Sequence, residues 1–91
     1  MSVVKLRISG RVQGVGYRAW ASRQAVSLSL SGWVRNRHDG SVEILLCGPD
    51  DAVATMIARC GEGPMLAHVT NIAQEAGEAT SEEGFRQLPT L

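Results

Sequence analysis

The stretch that most constrains the fold is Gly10–Arg18, read as GRVQGVGYR, because the chain changes its periodicity there. Before it, apolar residues occupy every second position over Val4–Ile8, the period of a strand with one buried face. After it, apolar residues recur at helical spacing over Tyr17–Leu28. The pattern therefore predicts a strand, a loop over Gly10–Gly16, and a helix that begins at Tyr17.

The segment has the composition of an anion receptor. Its glycines leave the backbone bare, and the first N–H groups of the following helix lack internal partners and carry partial positive charge. Arg18 is electrostatically misplaced at that helix end, and a bound anion would remove the conflict. The alternatives are that the glycines form only a turn and that Arg18 is a solvated residue paired with Asp or Glu. A nucleotide site is excluded, because the G-x-G-x-x-G spacing is absent and no Lys-Ser or Lys-Thr follows Gly16.

The rest of the chain predicts three strands, a helix and a short last strand. Strands over residues 33–37 and 41–47 flank a tight turn at Asp39-Gly40, and a helix begins within residues 48–51 and ends at Gly61. A strand over residues 67–73, with Val69 and Ile72 as its core contributors, precedes a mobile acidic connection over residues 75–84 and a strand over residues 85–88. This order predicts an α+β sandwich of the ferredoxin-like type, βαββαβ plus a short terminal strand, with two helices on one face of a mainly antiparallel sheet.

Composition narrows the classes of partner. The 91 residues include 9 basic and 9 acidic ones, so no net charge attracts nucleic acid or an anionic membrane. Trp20 and Trp33 occupy core-compatible positions and do not form a base-stacking platform.

Cys47 and Cys60 have neither metal spacing nor a disulfide framework. This favours two buried thiols, and a single disulfide bridge between them is the alternative. No run approaches the roughly 18 apolar residues of a membrane span, and the N-terminus lacks the apolar core of a signal peptide. We expect one domain over residues 1–91, a cytoplasmic monomer.

Asn36 is the second candidate for chemistry, because asparagine is disfavoured on a strand. Its rigid amide donates and accepts hydrogen bonds and is able to hold a water molecule. The alternatives are that Asn36 starts the hairpin or faces solvent beside Arg35 and Arg37. His38 reads as a solvated turn residue and His68 as a structural one. No metal spacing, Ser-His-Asp set or pair of carboxylates is evident.

The segment GRVQGVGYR, followed by GWVRNRHDGSVE, resembles the two signature segments of the acylphosphatase family. The spacing between Arg18 and Asn36 and the strand order across essentially the whole chain fit as well. The resemblance implies an enzyme that hydrolyses small acyl phosphates to carboxylate and inorganic phosphate, with no metal and no cofactor. It implies that Arg18 binds the phosphate, that Asn36 orients the attacking water, and that a backbone cradle is formed by Val12, Gln13, Gly14, Val15, Gly16 and Tyr17.

The chain departs from the family pattern at a few positions. Tyr17 stands where the family usually has Phe, and we expect its hydroxyl to line the mouth of the site. Gly16 occupies a variable position of the motif, and the C-terminal GFRQLPTL matches loosely. Two rival functions stay open. One is a non-catalytic anion-binding or regulatory module on the same fold, and the other is an RNA-binding module, which the neutral charge disfavours.

Overall fold

The computed structural model describes residues 1–91 and contains five strands and two helices. They are β1 (Ser2–Arg11), α1 (Tyr17–Ser27), β2 (Ser31–Asn36), β3 (Val42–Gly48), α2 (Asp50–Glu62), β4 (His68–Ala76) and β5 (Phe85–Gln87). The strands form one sheet in the order β4-β1-β3-β2-β5, and every neighbouring pair is antiparallel except β2 with β5. The architecture is the α+β sandwich that the element order predicts. Neither helix has the length and hydropathy that a transmembrane segment requires.

The core lies between the two helices and one face of the sheet. Alternate residues of the central strands point into it, and helical spacing brings one face of each helix onto them. The buried side chains from the sheet include Leu6, Ile8, Val34, Val42, Ile44 and Leu46, and those from the helices are Tyr17, Ala21, Ala25, Val53, Met56 and Cys60. Burial of each large apolar side chain contributes roughly 1.5–3 kcal/mol, so this layer fixes which way every central strand faces.

Trp33 lies on the opposite, open face of the sheet, and its predicted place in the core is wrong. Val34 points into the core, and in a strand the neighbouring side chains must then point away. Trp33 is half-buried there, with the guanidinium carbon of Arg35 at 4.6 Å from the centroid of its ring. Trp20 packs partly buried against the core, as predicted.

The open face is organised around the buried carboxylate of Glu43. Nε of Arg35 donates to it at 2.7 Å, and the charged nitrogens of Arg37, Lys5 and Arg7 lie 3.4, 3.7 and 3.7 Å from its oxygens. Burial works to raise the pKa of Glu43, but the hydrogen bond from Arg35 and the surrounding cations outweigh it and hold the pKa below its usual value. The carboxylate thus joins β1, β2 and β3 on the side that no helix covers.

The predicted loop begins later than expected, because Gly10 and Arg11 belong to β1. The register between β1 and β4 shifts after Ser9, which leaves Thr70 as an extra residue in β4. Gly10 has a φ of 118°, and a Cβ there would overlap the carbonyl oxygen of His68 and lie 2.8 Å from the backbone nitrogen of Thr70. The strand therefore continues through a β-bulge that requires glycine, a feature that interrupts the alternation without ending the pairing.

The bulge also explains the pattern of β4. Val69 and Ile72 are three residues apart, yet both pack partly buried against the core, as predicted. In a regular strand an odd spacing would place them on opposite faces, and the extra residue restores one face for both.

Several predicted boundaries are wrong by a few residues. β2 begins at Ser31 and ends before Arg37. α2 runs through Gly61, and its C-cap is Gly63, which has a φ of 69°. β4 continues to Ala76, so that Glu75 pairs with Lys5 of β1 instead of starting the connection. Tertiary pairing extends these elements beyond the points where local periodicity fades.

Tyr17 and Cys60 connect the two helices inside the core. Both are buried, and the Tyr17 hydroxyl donates to the carbonyl oxygen of Cys60 at 2.7 Å. Burial raises the pKa of the Cys60 thiol to about 11 and raises that of the Tyr17 hydroxyl well above its usual value. Cys47 is buried as well, and both cysteines are free thiols, as the favoured interpretation predicted.

The Gly10→Ala variant tests the bulge. A positive φ strains alanine by about 1–3 kcal/mol, and the overlap with β4 adds to that cost, so we expect the free energy of unfolding to fall by more than the strain alone. Gly40→Ala is the control, because Gly40 has a φ of 93° but an added Cβ meets nothing within 4 Å. Urea denaturation of both variants measures the difference. Equal losses would contradict the role of close packing at Gly10.

The buried thiol predicts a loss of stability in alkali. Above the ordinary thiol pKa of 9.0 the unfolded chain releases a proton that the folded protein keeps to about pH 11. Stability is therefore complete below that range and falls as pH rises through it, by about 2–3 kcal/mol at roughly 1.4 kcal/mol per pH unit. Denaturation at several pH values should show a shallower slope in Cys60→Ala than in Cys47→Ala, which keeps the Cys60 thiol. Identical slopes would rule out Cys60 as the source.

Candidate active site

The loop of residues 12–16 crosses from the end of β1 to the start of α1. Val12 is buried and Val15 packs partly buried against the core, so the loop is anchored at two apolar side chains. Gly14 and Gly16 have φ values of 74° and 78°, the left-handed region, and an added Cβ at either would meet open space. The glycines therefore serve the backbone conformation here and leave the loop surface uncovered.

The backbone N–H groups of this loop and of the first helical turn have no protein acceptor. None of residues 12–19 donates a main-chain hydrogen bond, and the first to do so is Trp20, to the carbonyl oxygen of Gly16 at 3.0 Å. A helix ordinarily leaves only its own first N–H groups unpaired, and here the preceding loop extends the unpaired run. Such a run carries partial positive charge and is suited to an anion.

Arg18 lies half-buried in the first turn of α1, at the positive end of the helix dipole. The first turn contains no acidic residue, and Arg18 forms no ion pair. The alternative prediction, that Arg18 is paired with Asp or Glu, is therefore wrong. Arg18 belongs to the run of residues with unpaired N–H groups, which gives this helix end positive potential without a protein counterion.

Asn36 is the last residue of β2 and points toward the helices. Its neighbours Arg35 and Arg37 reach to Glu43 on the open face, so Asn36 must take the other face and does not point outward beside them. Its side-chain oxygen Oδ1 is buried and has no hydrogen-bond partner. An orphaned buried acceptor costs about 1–3 kcal/mol of stability. A ligand that donates a hydrogen bond to Oδ1 would remove that cost.

The backbone of Asn36 is held on both sides. It pairs with Val42 of β3, and its carbonyl oxygen accepts a hydrogen bond from the N–H of Leu91 at 3.1 Å. The N–H of His38 in turn donates to the carbonyl oxygen of Leu91 at 3.1 Å. The end of β2 is thus paired on one side with a central strand and on the other with the C-terminal segment.

Gln13 connects the loop to the hairpin between β2 and β3. Its Nε2 donates to the carbonyl oxygens of Arg37 and Ser41, each at 2.8 Å. Both bonds are partly buried, and Arg37 directly follows Asn36 in the chain. The side chain of a loop residue is therefore attached to the strand end that carries Asn36.

These groups line a single cavity of about 160 Å³. Its lining residues are Val12, Gln13, Gly14, Gly16, Tyr17, Arg18, Ala19, Asn36 and Gln87. The structure thus brings together every residue that the sequence predicted for the site except Val15, whose side chain packs against the core. Ala19 and Gln87 were not predicted. Ala19 could have been inferred because it directly follows Arg18. No sequence pattern indicates Gln87, whose position at the site results from its pairing with Val34 in the sheet.

The expectation for the Tyr17 hydroxyl is wrong. It does not line the mouth of the site, because it is buried and donates to the carbonyl oxygen of Cys60 in α2. A buried hydroxyl needs a partner, and the nearby helix supplies one. Tyr17 therefore lines the cavity with its other atoms, and its hydroxyl lies in the core.

The arrangement is suited to one kind of chemistry. The lining residues include those with unpaired N–H groups, Arg18, and Asn36 with its unpartnered Oδ1, and they include no carboxylate, histidine or thiol. No group of three or more His, Cys, Asp or Glu side chains is placed to hold a metal ion. The donors fit a tetrahedral oxyanion, and the amide fits a water molecule or another donor beside it.

Comparison with known proteins identifies a single family. The Acylphosphatase family model matches residues 4–87. A protein named acylphosphatase from Nitrobacter hamburgensis is 50% identical, over 98% of this chain and 96% of its own length. One from Azoarcus sp. strain BH72 is 60% identical, over 93% and 87% of the two chains.

A solved structure extends the comparison to the fold. The crystal structure of acylphosphatase from Bacillus subtilis superimposes with a TM-score of 0.90 at 34% sequence identity, covering 97% of this chain and 99% of the other. The ferredoxin-like sandwich and both signature segments are therefore features of one family. The chain belongs to the acylphosphatase family, the enzymes that hydrolyse acyl phosphates.

Proposed function

We propose that the protein hydrolyses small acyl phosphates in the cavity of Arg18 and Asn36, by attack of water on phosphorus and without a metal ion. The bond that forms joins the water oxygen to phosphorus, and the bond that breaks joins phosphorus to the acyl oxygen. The carboxylate leaves with the electron pair of that bond, and the products are a carboxylate and inorganic phosphate. Family membership supports the reaction, and the geometry of the cavity supports the roles of the residues.

The loop and Arg18 hold the phosphoryl group in this mechanism. Phosphoryl transfer depends mostly on positioning and on stabilising the charge of the three equatorial oxygens. The unpaired N–H groups of residues 12–19 and the guanidinium of Arg18 are donors of the required kind, fixed before substrate arrives. In acyl-transfer enzymes, one preorganised donor is worth about 2.7–4 kcal/mol in the transition state.

Asn36 orients the nucleophile. Its Oδ1 accepts one hydrogen bond from water, which directs a lone pair of the water oxygen toward phosphorus for in-line attack. The backbone of Asn36 is held by the ladder with β3 and by Leu91, so the strand end that carries the amide does not have to be ordered during the reaction.

The reaction needs no protein acid or base. The leaving carboxylate is a weak base and departs without protonation, and a phosphate oxygen of the substrate takes the proton of the attacking water. This matches a cavity whose lining contains no carboxylate, histidine or thiol. We therefore expect activity that is independent of metal ions and of any cofactor.

The observation that carries the proposal is the orphaned Oδ1 of Asn36, in the same cavity as Arg18. A module that only binds an anion uses donors and has no use for an unpartnered acceptor on a residue that lines its site. A hydrolase needs such an acceptor, because the nucleophile must be held beside the phosphate.

The test is hydrolysis of benzoyl phosphate, in the presence of a chelator, by the wild type and two variants. We expect wild-type activity to survive the chelator. Arg18→Ala should raise KM and also lower kcat by about 10²–10³-fold, because its guanidinium contacts the phosphate in both ground and transition states. Asn36→Ala should lower kcat by about 10²-fold with little change in KM, because water positioning acts on the transition state alone.

Matched controls separate these roles from general damage. Arg23→Ala changes an exposed arginine on the same helix, and Asn71→Ala changes an exposed asparagine on β4, so both should retain wild-type kinetics. A folded wild type without activity would leave the anion-binding module as the function. Undiminished kcat in Asn36→Ala would refute the water-orienting role alone.

We also infer that residues 1–91 act as a single-domain monomer in the cytoplasm. Of the large apolar side chains that are exposed, only Met65 and Leu66 are neighbours in the chain, and Met1, Val26 and Leu91 lie on other segments. Both cysteines are buried free thiols. Sedimentation equilibrium should give the chain mass of 9.7 kDa, and cell fractionation should place the protein with the cytoplasmic contents. A dimer mass at micromolar concentration would contradict the first inference.

A further inference from the structure

We infer that the side chain of Gln13 is a positioning residue that fixes the distance between the phosphate loop and the water held by Asn36. The inference rests on the proposed function. The backbone of Gln13 lies in the phosphate loop, and we assign its side chain a separate role. That role is to keep the loop and Asn36 at a fixed position relative to each other.

Apart from the apolar packing of Val12 and Val15, few contacts attach the loop to the rest of the protein. Within residues 12–16, the only hydrogen bonds to the rest of the protein are the two that Gln13 donates to the hairpin and the one that Gly16 accepts from Trp20 of α1. The ladder between β1 and β3 ends at the pair of Ile8 with Val42, and β1 then continues along β4 through its bulge. Beyond that point, Gln13 alone joins the loop by hydrogen bonds to the hairpin connection between β2 and β3.

The bonds end on the atoms that determine where Asn36 stands. One acceptor is the carbonyl oxygen of Arg37, one residue after Asn36. The other is the carbonyl oxygen of Ser41, which also accepts the N–H of Arg37 at 2.9 Å and so closes the hairpin. A shift of the loop relative to this hairpin would change the line from the water through phosphorus to the leaving oxygen.

The chemistry of the bridge is specific to an amide. One NH₂ group carries two protons, and the two carbonyl oxygens, both at 2.8 Å, use both of them. A carboxylate of the same shape would oppose two acceptors with no donor, and a methionine of similar length would satisfy neither carbonyl. Val12 and Val15 would still pack into the core in either variant, so the shape of the loop should survive while its placement relaxes.

The experiment compares Gln13→Met with Gln24→Met in benzoyl phosphate hydrolysis and in inhibition by inorganic phosphate. Gln24 is the matched control, because its Oε1 accepts a hydrogen bond from Arg59 at 2.8 Å and also bridges two elements, away from the cavity. For Gln13→Met we expect kcat to fall by about 10- to 100-fold, the scale of a small misplacement of reacting groups. The inhibition constant of phosphate should change by about twofold or less, and Gln24→Met should keep wild-type kcat.

A double variant tests whether Gln13 acts through Asn36. In the Asn36→Ala background no oriented water remains to be misplaced, so Gln13→Met should then lower kcat by only about twofold. Gln13→Glu, which keeps the shape of the side chain and removes the donor, provides the same comparison if methionine disturbs folding. Thermal unfolding of every variant confirms that the kinetics are measured on folded protein.

The outcomes separate this inference from the proposed function. A wild type that does not hydrolyse benzoyl phosphate would overturn the proposed function, and the inference with it. If the wild type is active, any of three results overturns the positioning role alone. These are an unchanged kcat in the Gln13 variants, a phosphate inhibition constant that rises in parallel with the loss of kcat, or losses that multiply fully in the double variant.

Discussion

The structure depends on a loop that must keep its own N–H groups unpaired. Backbone donors in folded proteins are almost always satisfied, and a segment that withholds them from the protein loses the hydrogen bonds that would ordinarily fix its shape. Residues 12–16 replace those bonds with two apolar anchors, Val12 and Val15, and with the side chain of Gln13. The β-bulge at Gly10 carries the strand past its regular ladder and into the loop. The loop is therefore held in place by side-chain contacts, and its backbone N–H groups stay available to a ligand.

The open face of the sheet contributes to the site although it lies on the other side. Arg35 and Arg37 bind the buried carboxylate of Glu43, and because side chains alternate along a strand, this fixes Asn36 on the helix side. A slip of one residue in β2 would move Val34 out of the core and turn Asn36 away from the cavity. The core on one face of the sheet and the Glu43 carboxylate on the other thus both disfavour a slip of β2 by one residue.

The sequence could predict this site because its residues are close to local signals. The change of period at Gly10–Arg18 located the loop, and Asn36 was marked by its unfavourable place on a strand. The bulge was not predictable, because a glycine that permits close approach of two strands has the same local pattern as a glycine that ends one. Gln87 and the bridge of Gln13 depend on strand register and on the fold of the hairpin, which no local pattern records. Trp33 was misassigned because an aromatic residue is compatible with either face of a strand.

In the proposed mechanism, phosphate binding and turnover make different demands on the protein, and two different parts of the site meet them. Phosphate binding needs many donors at modest precision, and consecutive N–H groups of one loop supply them with no side chain other than Arg18. Turnover in that mechanism needs one acceptor at high precision, and the residue proposed to supply it, Asn36, has a backbone that is hydrogen-bonded on both sides. The orphaned Oδ1 of Asn36 costs about 1–3 kcal/mol of stability in the free protein, and in the proposed mechanism the hydrogen bond from the attacking water recovers that cost. A fold selected for stability alone would pair that acceptor, and this is why the proposed mechanism assigns Asn36 to turnover and not to phosphate binding.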